Sequence, residues 1–304
     1  MRRTATRRTF AGVDVGKTKI SAAVVTDKGR FISRTAISTD LSRGGANVIG
    51  DAKGLLHKVI DNSGCDIEGI GICWVGIVDT ASGVIEYSSI KETSGKMIQK
   101  LMEKEFGVPA LAGDDVTTPA YGEWMYGAGR GYGTVAYMTI STGAGIGIVK
   151  DGSLWKGRHN IAGILGPLEV YGRGHSIESA FSGRGIEASA SMALGRKVST
   201  EEAFRLSEGG VEPCSTIIEK AAYTAAAVVA GTQCLVDPDA IVIGGSVATN
   251  QPGFVRKIGR YANGMMEPYR FKFPKGLRIL RSELGQYNGI LGAVGLLLDR
   301  NGES

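Results

Sequence analysis

The strongest constraint on this chain is a plan that it states twice. Phe10 to Val25 reads as two β-rich runs joined by the short turn Asp14-Val15-Gly16-Lys17-Thr18-Lys19, and Asp27-Lys28-Gly29-Arg30 then turns the chain into a third run from Phe31. Thr134 to Ile140 opens a second copy: it turns at Ser141-Thr142-Gly143-Ala144-Gly145-Ile146-Gly147, continues as Ile148-Val149-Lys150 and turns again at Asp151-Gly152. Strand, small-residue turn, strand and turn, stated twice, predict two related α/β halves, each bringing one glycine-rich hairpin to a central cleft. A turn of glycine and threonine lets backbone N–H groups reach phosphate oxygens, and Asp14 beside one suits organising the waters of Mg2+. An Asx turn between strands explains the same aspartate. There is no GxxxxGK[ST] loop and no strand-G-x-G-x-x-G-helix unit, which disfavours Walker-type and dinucleotide sites.

Between and after the hairpins, helices alternate with strands, the order of an α/β fold. Gly44 to Asp61 has helical periodicity through Val48, Ala52, Leu55, Leu56 and Val59. Ile67 to Val78 reads as a buried strand, Val84 to Tyr87 as a short one, and Met97 to Phe106 as an amphipathic helix. The next strand delivers Asp114 and Asp115 to the start of a helix. A carboxylate just beyond a strand is held by the sheet and can act as a general base, which is the reading for Asp115; either aspartate could instead cap the helix. Gly157 to Gly174 is loop-like, with Arg158, His159, Pro167, Glu169 and Arg173. Ser176 to Leu194 reads as one helix with Glu178 in its first turn, where glutamate also serves the helix dipole. Thr216 to Leu235 is a further helix. Ala240 to Ile243 is a buried strand that runs into Gly244-Gly245-Ser246, where the chain can approach a ring or ribose closely. Gly285 to Leu298 is an apolar helix whose glycines allow close helix packing.

Composition excludes several classes. With 304 residues and 43% hydrophobic content the chain can bury a large core in two lobes. Its net charge of +5 is concentrated partly in Arg2, Arg3, Arg7 and Arg8, so no basic stripe argues for nucleic acid. The apolar run from Phe10 is broken by Asp14, Lys17 and Lys19 and fails as a secretory signal; Ala221 to Val236 is too short and polar to span a bilayer. Cys65, Cys73, Cys214 and Cys234 form no CxxC pair or metal spacing and read as reduced, mostly buried thiols of a cytoplasmic protein.

Taken in order from about Phe10 to about Leu298, these stretches resemble the ROK family of sugar kinases and repressors in the actin-like ATPase superfamily. Asp14-Val15-Gly16-Lys17-Thr18-Lys19 fits the family's DxGxTK, with Lys17 where glycine is usual. Cys73-Trp74-Val75-Gly76-Ile77-Val78-Asp79 fits GxPGxVD, with Val75 for proline, and Gly113-Asp114-Asp115-Val116-Thr117 with Gly122-Glu123 fits ENDAN followed by GE. Thr142-Gly143-Ala144-Gly145-Ile146-Gly147 fits the second phosphate hairpin, Pro238 to Val247 the adenosine segment, and His175-Ser176-Ile177-Glu178-Ser179-Ala180-Phe181-Ser182-Gly183 the downstream GCLExxxSG.

The resemblance implies a two-lobed actin-like ATPase (ribonuclease H-like) α/β fold with ATP and sugar in the interlobe cleft. The small lobe would be residues 1–117 with helix 286–300 packing back on it, and the larger lobe residues 118–285. It places Asp115 as the base that takes the proton from the sugar O6, Gly76, Asp114, Asp115 and Glu178 on the sugar, and Asp14 on Mg2+ through water. ATP would be held by Asp14, Gly16, Lys17, Thr18, Lys19, Thr142, Gly143, Ala144, Gly145, Gly244, Gly245 and Ser246. The family's AGExGH becomes Ala162-Gly163-Ile164-Leu165-Gly166-Pro167, and its zinc cysteines are missing, so no structural zinc is expected. Ile164 and Pro167 could hold an acetyl methyl, which favours N-acetylmannosamine over glucose; a glucokinase, hexokinase or sugar-acid kinase, or a non-catalytic sugar binder, are the alternatives. A repressor would need a DNA-binding module that the few residues before Phe10 cannot form. The family also implies a homodimer, with no nucleic-acid or membrane partner.

Overall fold

A computed structural model describes residues 8–169, 172 and 174–300. Arg2, Arg3, Arg7 and Arg173, singled out above, lie outside the described residues. The chain forms two compact units: one takes Met1–Arg130, Lys156–Ile161 and Tyr287–Ser304, the other Gly131–Trp155 and Ala162–Gln286.

In the first unit, β1 (Thr9–Val15), β2 (Lys19–Thr26) and β3 (Phe31–Ser38) form an antiparallel meander, followed by α1 (Gly45–Ser63), β4 (Ile70–Trp74), β5 (Ile77–Asp79), β6 (Val84–Tyr87), α2 (Ile98–Phe106), β7 (Ala110–Asp114) and α3 (Thr117–Tyr126). The sheet order is β3-β2-β1-β4-β7, with β1, β4 and β7 parallel. Parallel strands must be covered on both faces, and every residue of β4 and β7 is buried, whereas the edge strand β3 is largely exposed. The expected strand from Ile67 to Val78 is divided. β4 stops at Trp74, Gly76 takes a φ of +126°, and an added Cβ there would lie 2.1 Å from the Tyr87 carbonyl oxygen.

In the second unit, β8 (Thr134–Ile140), β9 (Ala144–Lys150) and β10 (Ser153–Leu154) form the second meander. After α4 (Ile177–Phe181), α5 (Gly183–Leu194), α6 (Thr200–Glu208) and α7 (Cys214–Val236) come β11 (Ala240–Gly244), α8 (Ser246–Asn250), α9 (Pro252–Met265) and β12 (Ile279–Arg281). The order β10-β9-β8-β11-β12, with β8, β11 and β12 parallel, restates the first sheet strand for strand. The single helix expected from Ser176 to Leu194 is two helices, because Ser182 leaves helical conformation and its hydroxyl caps α5 by accepting from the Gly185 N–H at 3.2 Å.

The last helix, α10 (Asn288–Arg300), returns to the first unit and packs on β1, β4 and α3. Its glycines serve this contact: an added Cβ on Gly292 would lie 1.8 Å from the Thr118 carbonyl oxygen, and one on Gly71 of β4 would lie 2.5 Å from the Ala293 backbone. That packing places α3 in the first unit and moves the boundary to Arg130 from the expected residue 117. All four cysteines are free; Cys73 and Cys214 are buried as expected, while Cys234 is exposed. Among the described residues no helix is long and apolar enough to cross a membrane, and no cluster of His, Cys, Asp and Glu suits a metal ion.

Candidate active site

The first unit gathers carboxylates at one end of its sheet. Asp14, next to last in β1, pairs in register with Cys73 of β4, and Trp74 beside it pairs with Asp114 of β7. Asp115 follows directly, and its Oδ1 accepts the Gly76 N–H at 3.1 Å. Desolvation pushes Asp115 up to about 7; the Gly76 hydrogen bond pulls the other way, and the charges of Asp114 and Asp14 add to the rise. Asp14 is raised to about 6, again chiefly by burial, against the opposing effects of a hydrogen bond from Cys73 and the charge of Lys19. The Cys73 thiol lies 3.6 Å from the Asp114 carbonyl oxygen, and burial beside these carboxylates raises its own pKa well above the usual value. Gly289, in the first turn of α10, closes the site from below: an added Cβ would stand 2.7 Å from Asp14 Oδ2 and 3.0 Å from Cys73 Sγ.

Of the two adjacent aspartates, only one takes the capping role that their sequence allowed to either. Asp114 holds the start of α3: its Oδ1 accepts the N–H groups of Val116 (3.0 Å) and Thr117 (2.6 Å), and its Oδ2 accepts the Thr117 hydroxyl at 2.6 Å. Oδ2 is also 3.1 Å from Lys156 Nζ, with both side chains nearly buried. Asp115 takes no part in the cap. Lys156 had no signal in the sequence, because only tertiary contact brings this loop residue to Asp114; Cys73, read as a buried thiol that opens the Cys73 to Asp79 stretch, carried no sign of its place beside the carboxylates for the same reason.

The first hairpin turn, Gly16-Lys17-Thr18, is pinned by Gly16 N–H to Lys19 O (2.9 Å) and by Thr39, whose hydroxyl donates to Gly16 O at 2.8 Å and whose N–H donates to Thr18 O at 3.1 Å. Thr18 is exposed, while Lys17 and Lys19 are partly so. These contacts fix the turn without using the N–H groups of Lys17 and Thr18.

In the second unit the corresponding turn, Ser141-Thr142-Gly143, is closed by Ser141 N–H to Gly143 O at 2.9 Å, and Gly183 N–H of α5 donates to Ser141 O at 2.7 Å. Ala144 opens β9 and Gly145 pairs with Thr139. Glu178 lies against this turn: an added Cβ on Gly143 would be 3.0 Å from its Oε2, and one on Gly166 would be 2.9 Å away. Its Oε1 pairs with Arg184 at 2.6 Å. Gly244 ends β11, Gly245 takes φ +90° with no room for a Cβ against the Ile140 carbonyl oxygen, and Ser246 begins α8. Ile164 is partly buried and Pro167 exposed. Each unit therefore presents the residues that the sequence singled out in it, the first as a charged cluster and the second as open backbone.

The chain resembles proteins of known structure and name over almost its full length. An N-acetylmannosamine kinase of Escherichia coli is 28% identical over 284 residues, 87% of this chain and 94% of that protein. The ROK hexokinase of Thermus thermophilus superposes with a TM-score of 0.82 at 28% identity, covering 97% of this chain and 99% of the other. A ROK glucokinase of Streptomyces griseus, solved with glucose and AMPPNP, shares the fold with a TM-score of 0.79 at 24% identity over 95% and 98% of the two chains. Residues 10–300 match the ROK family, and with the doubled sheet and the motifs it carries, the chain belongs to that family, with the actin-like ATPase fold of its structural neighbours.

Proposed function

We propose that the protein is an ATP-dependent sugar kinase that phosphorylates the 6-hydroxyl of a hexose or N-acetylhexosamine, with N-acetylmannosamine as the leading substrate. The observation that carries this reading is Asp115, a carboxylate at a strand end raised to about 7, bound through one oxygen by the Gly76 N–H and free of the helix cap beside it. Such a group takes a proton from an alcohol near neutral pH, the task that phosphoryl transfer to a hydroxyl sets an enzyme. Asp115 accepts the O6 proton and orients O6. The turns at Gly16 to Thr18 and Thr142 to Gly145 hold phosphate oxygens through backbone N–H groups, with Lys17 and Lys19 adding charge. Gly244, Gly245 and Ser246 leave room for the nucleoside, and Gly76 and Glu178 belong to the sugar; Asp114, expected there too, spends its oxygens on the start of α3 and on Lys156.

Asp14 fits Mg2+ through water. It is a hard oxygen donor whose burial makes its negative charge costly, and Gly289 leaves open the space that any side chain would fill. When bound, Mg2+ neutralises charge on the phosphates. Kinase names among the relatives support the class, and the apolar Ile164 and Pro167 favour an N-acetyl group over a hydroxyl. The same two residues are what would favour a sugar-binding protein without turnover. The reading includes a cytoplasmic homodimer, which size-exclusion chromatography with light scattering tests.

The deciding experiment is ADP release from Mg·ATP with N-acetylmannosamine, glucose, mannose, N-acetylglucosamine and 2-keto-3-deoxygluconate, beside an Asp115→Asn variant. Stimulation by one sugar that vanishes in the variant establishes the kinase. A folded, ATP-binding protein that no sugar stimulates overturns it.

A further inference from the structure

The structure assigns Lys156 a part that the family motifs do not give it: we propose that its ammonium donates a hydrogen bond to a ring hydroxyl of the bound sugar, as a specificity-determining residue. The inference rests on the kinase reading for the identity of the ligand and on geometry for the rest. Asp114 stands where the motif has asparagine, and an asparagine amide both donates and accepts. Asp114 cannot donate, and its acceptor capacity is taken up: two backbone N–H groups on Oδ1, the Thr117 hydroxyl and Lys156 on Oδ2. The carboxylate thus has nothing left to offer a substrate.

Lys156 restores the missing donor. Its Nζ lies 3.1 Å from Asp114 Oδ2 and 2.5 Å from Thr80 Oγ1, and its side chain is 13% exposed. Among the described residues these are its two hydrogen-bonding partners, with the Asp79 charge nearby, and an ammonium has three N–H bonds, so one remains. Thr80 directly follows β5, and the residue before β5 is Gly76, whose N–H holds Asp115. One short segment therefore touches both the base and the lysine. Lys156 also begins Lys156–Ile161, the stretch that belongs to the first unit although the chain on both sides of it belongs to the second. A buried lysine is costly unless paired, and Asp114 supplies the counter-charge that keeps it there.

The test is sugar binding without nucleotide, by isothermal titration, using N-acetylmannosamine, mannose and glucose and their 3-deoxy and 4-deoxy forms. Lys156→Met alone leaves the Asp114 charge without its counter-ion, so the informative variant is Asp114→Ser with Lys156→Met, which removes both charges together and keeps a capping oxygen for α3 without putting an amide donor in the site; Lys156→Arg keeps a donor. The parent should lose roughly tenfold or more in affinity when the contacted hydroxyl is removed. The double variant should bind the full sugar more weakly and no longer distinguish it from that deoxy form, while its melting temperature stays within a few degrees of the parent. Lys156→Arg should keep part of the discrimination. A double variant that binds every sugar and deoxy sugar as the parent does overturns the proposal and leaves Lys156 as a counter-ion. A parent that binds no sugar also overturns it. A parent that binds sugar but releases no ADP sinks the kinase reading alone, since the binding comparison is still read in full.

Discussion

The two sheets share one register and differ in what they place at equal points of it. Asp14 faces Cys73 across β1 and β4; at the same step, next to last before the hairpin turn, Thr139 faces Gly244 across β8 and β11. Ala112 of β7 and Arg281 of β12 hold matching positions, so three residues further on Asp115 in one unit corresponds to Leu284 in the other. One copy ends in three carboxylates and a thiol; the other keeps a single carboxylate, Glu283 at the place of Asp114, beside the Thr139 hydroxyl and the Gly244 backbone. Topology thus builds the same ledge twice, and side-chain chemistry decides its use. Burial, with a smaller contribution from the charges of Asp114 and Asp14, carries Asp115 to about 7. The second copy crowds fewer carboxylates together, and its glycines leave backbone uncovered by side chains at the hairpin turn.

The largest effect comes from removing the charge that the second copy lacks. Asp115→Asn should lower sugar-dependent turnover by about two to four powers of ten while leaving ATP affinity within about threefold, read by ADP release and nucleotide titration. An unchanged rate would mean that the charged copy has no chemical role and would reduce the contrast to one of packing.

The same carboxylate should make the charged copy a pH-dependent liability. Asp115 titrates at about 7 in the folded chain against 3.8 when exposed. Between those values the native state holds a proton that the unfolded state has released, so this contribution to stability is full below pH 4, falls as pH rises and is gone above 7. At about 1.4 kcal/mol per pH unit the span is on the order of 4 kcal/mol. Asp14 adds a smaller fall ending near pH 6. Urea titrations from pH 4 to 8 should therefore show parent stability declining relative to Asp115→Asn, which should be the more stable protein at pH 8. Deprotonation is what a base requires, so kcat/KM should rise across the same range. Parallel stability curves for parent and variant would contradict the burial that sets the shift.

How much of this could be read from the chain alone follows the same division. The doubled meander, the α10 packing helix and Asp14, Asp115 and Gly244 to Ser246 are local signals: alternation, turn residues and carboxylates at strand ends. The boundary near Arg130 was missed because it depends on Gly292 and Thr118 meeting across more than half the sequence. The helix break at Ser182 was missed because a serine cap inside a periodic run differs from a helical serine only in its backbone. α6 and α9 were passed over although Pro252 starts α9 and Ser199 caps α6, signals that were present. Lys156, Cys73 and Gly289 carry no local mark; register and long-range packing alone bring them to the carboxylates.

Gly289 offers a gentler way to disturb the charged copy. A methyl there would press on Asp14 Oδ2 and Cys73 Sγ from 2.7 and 3.0 Å. Gly289→Ala should raise the KM for Mg·ATP by roughly tenfold, with the sugar KM changed little, because the displaced group is the one assigned to the nucleotide's metal. Equal effects on both KM values would show that the methyl moves the sheet end as a whole.

The smallest stability effect belongs to the second copy, at the carboxylate beside its hairpin turn. Glu178 lies against Gly143 and Gly166 and pairs with Arg184, whose side chain is 61% exposed. An ion pair this open to water contributes about 0–1 kcal/mol, so Glu178→Gln, which preserves the packing against both glycines, should change the urea midpoint barely at all. If Glu178 holds a sugar hydroxyl, the sugar KM should nevertheless rise several-fold with the KM for Mg·ATP unchanged. If its charge instead repels phosphates from the Thr142 to Gly145 turn, the variant should bind Mg·ATP more tightly and leave the sugar alone. The two outcomes move different constants, and the second would mean that one acidic residue beside the hairpin turn is enough to weaken the phosphate contact proposed for its backbone.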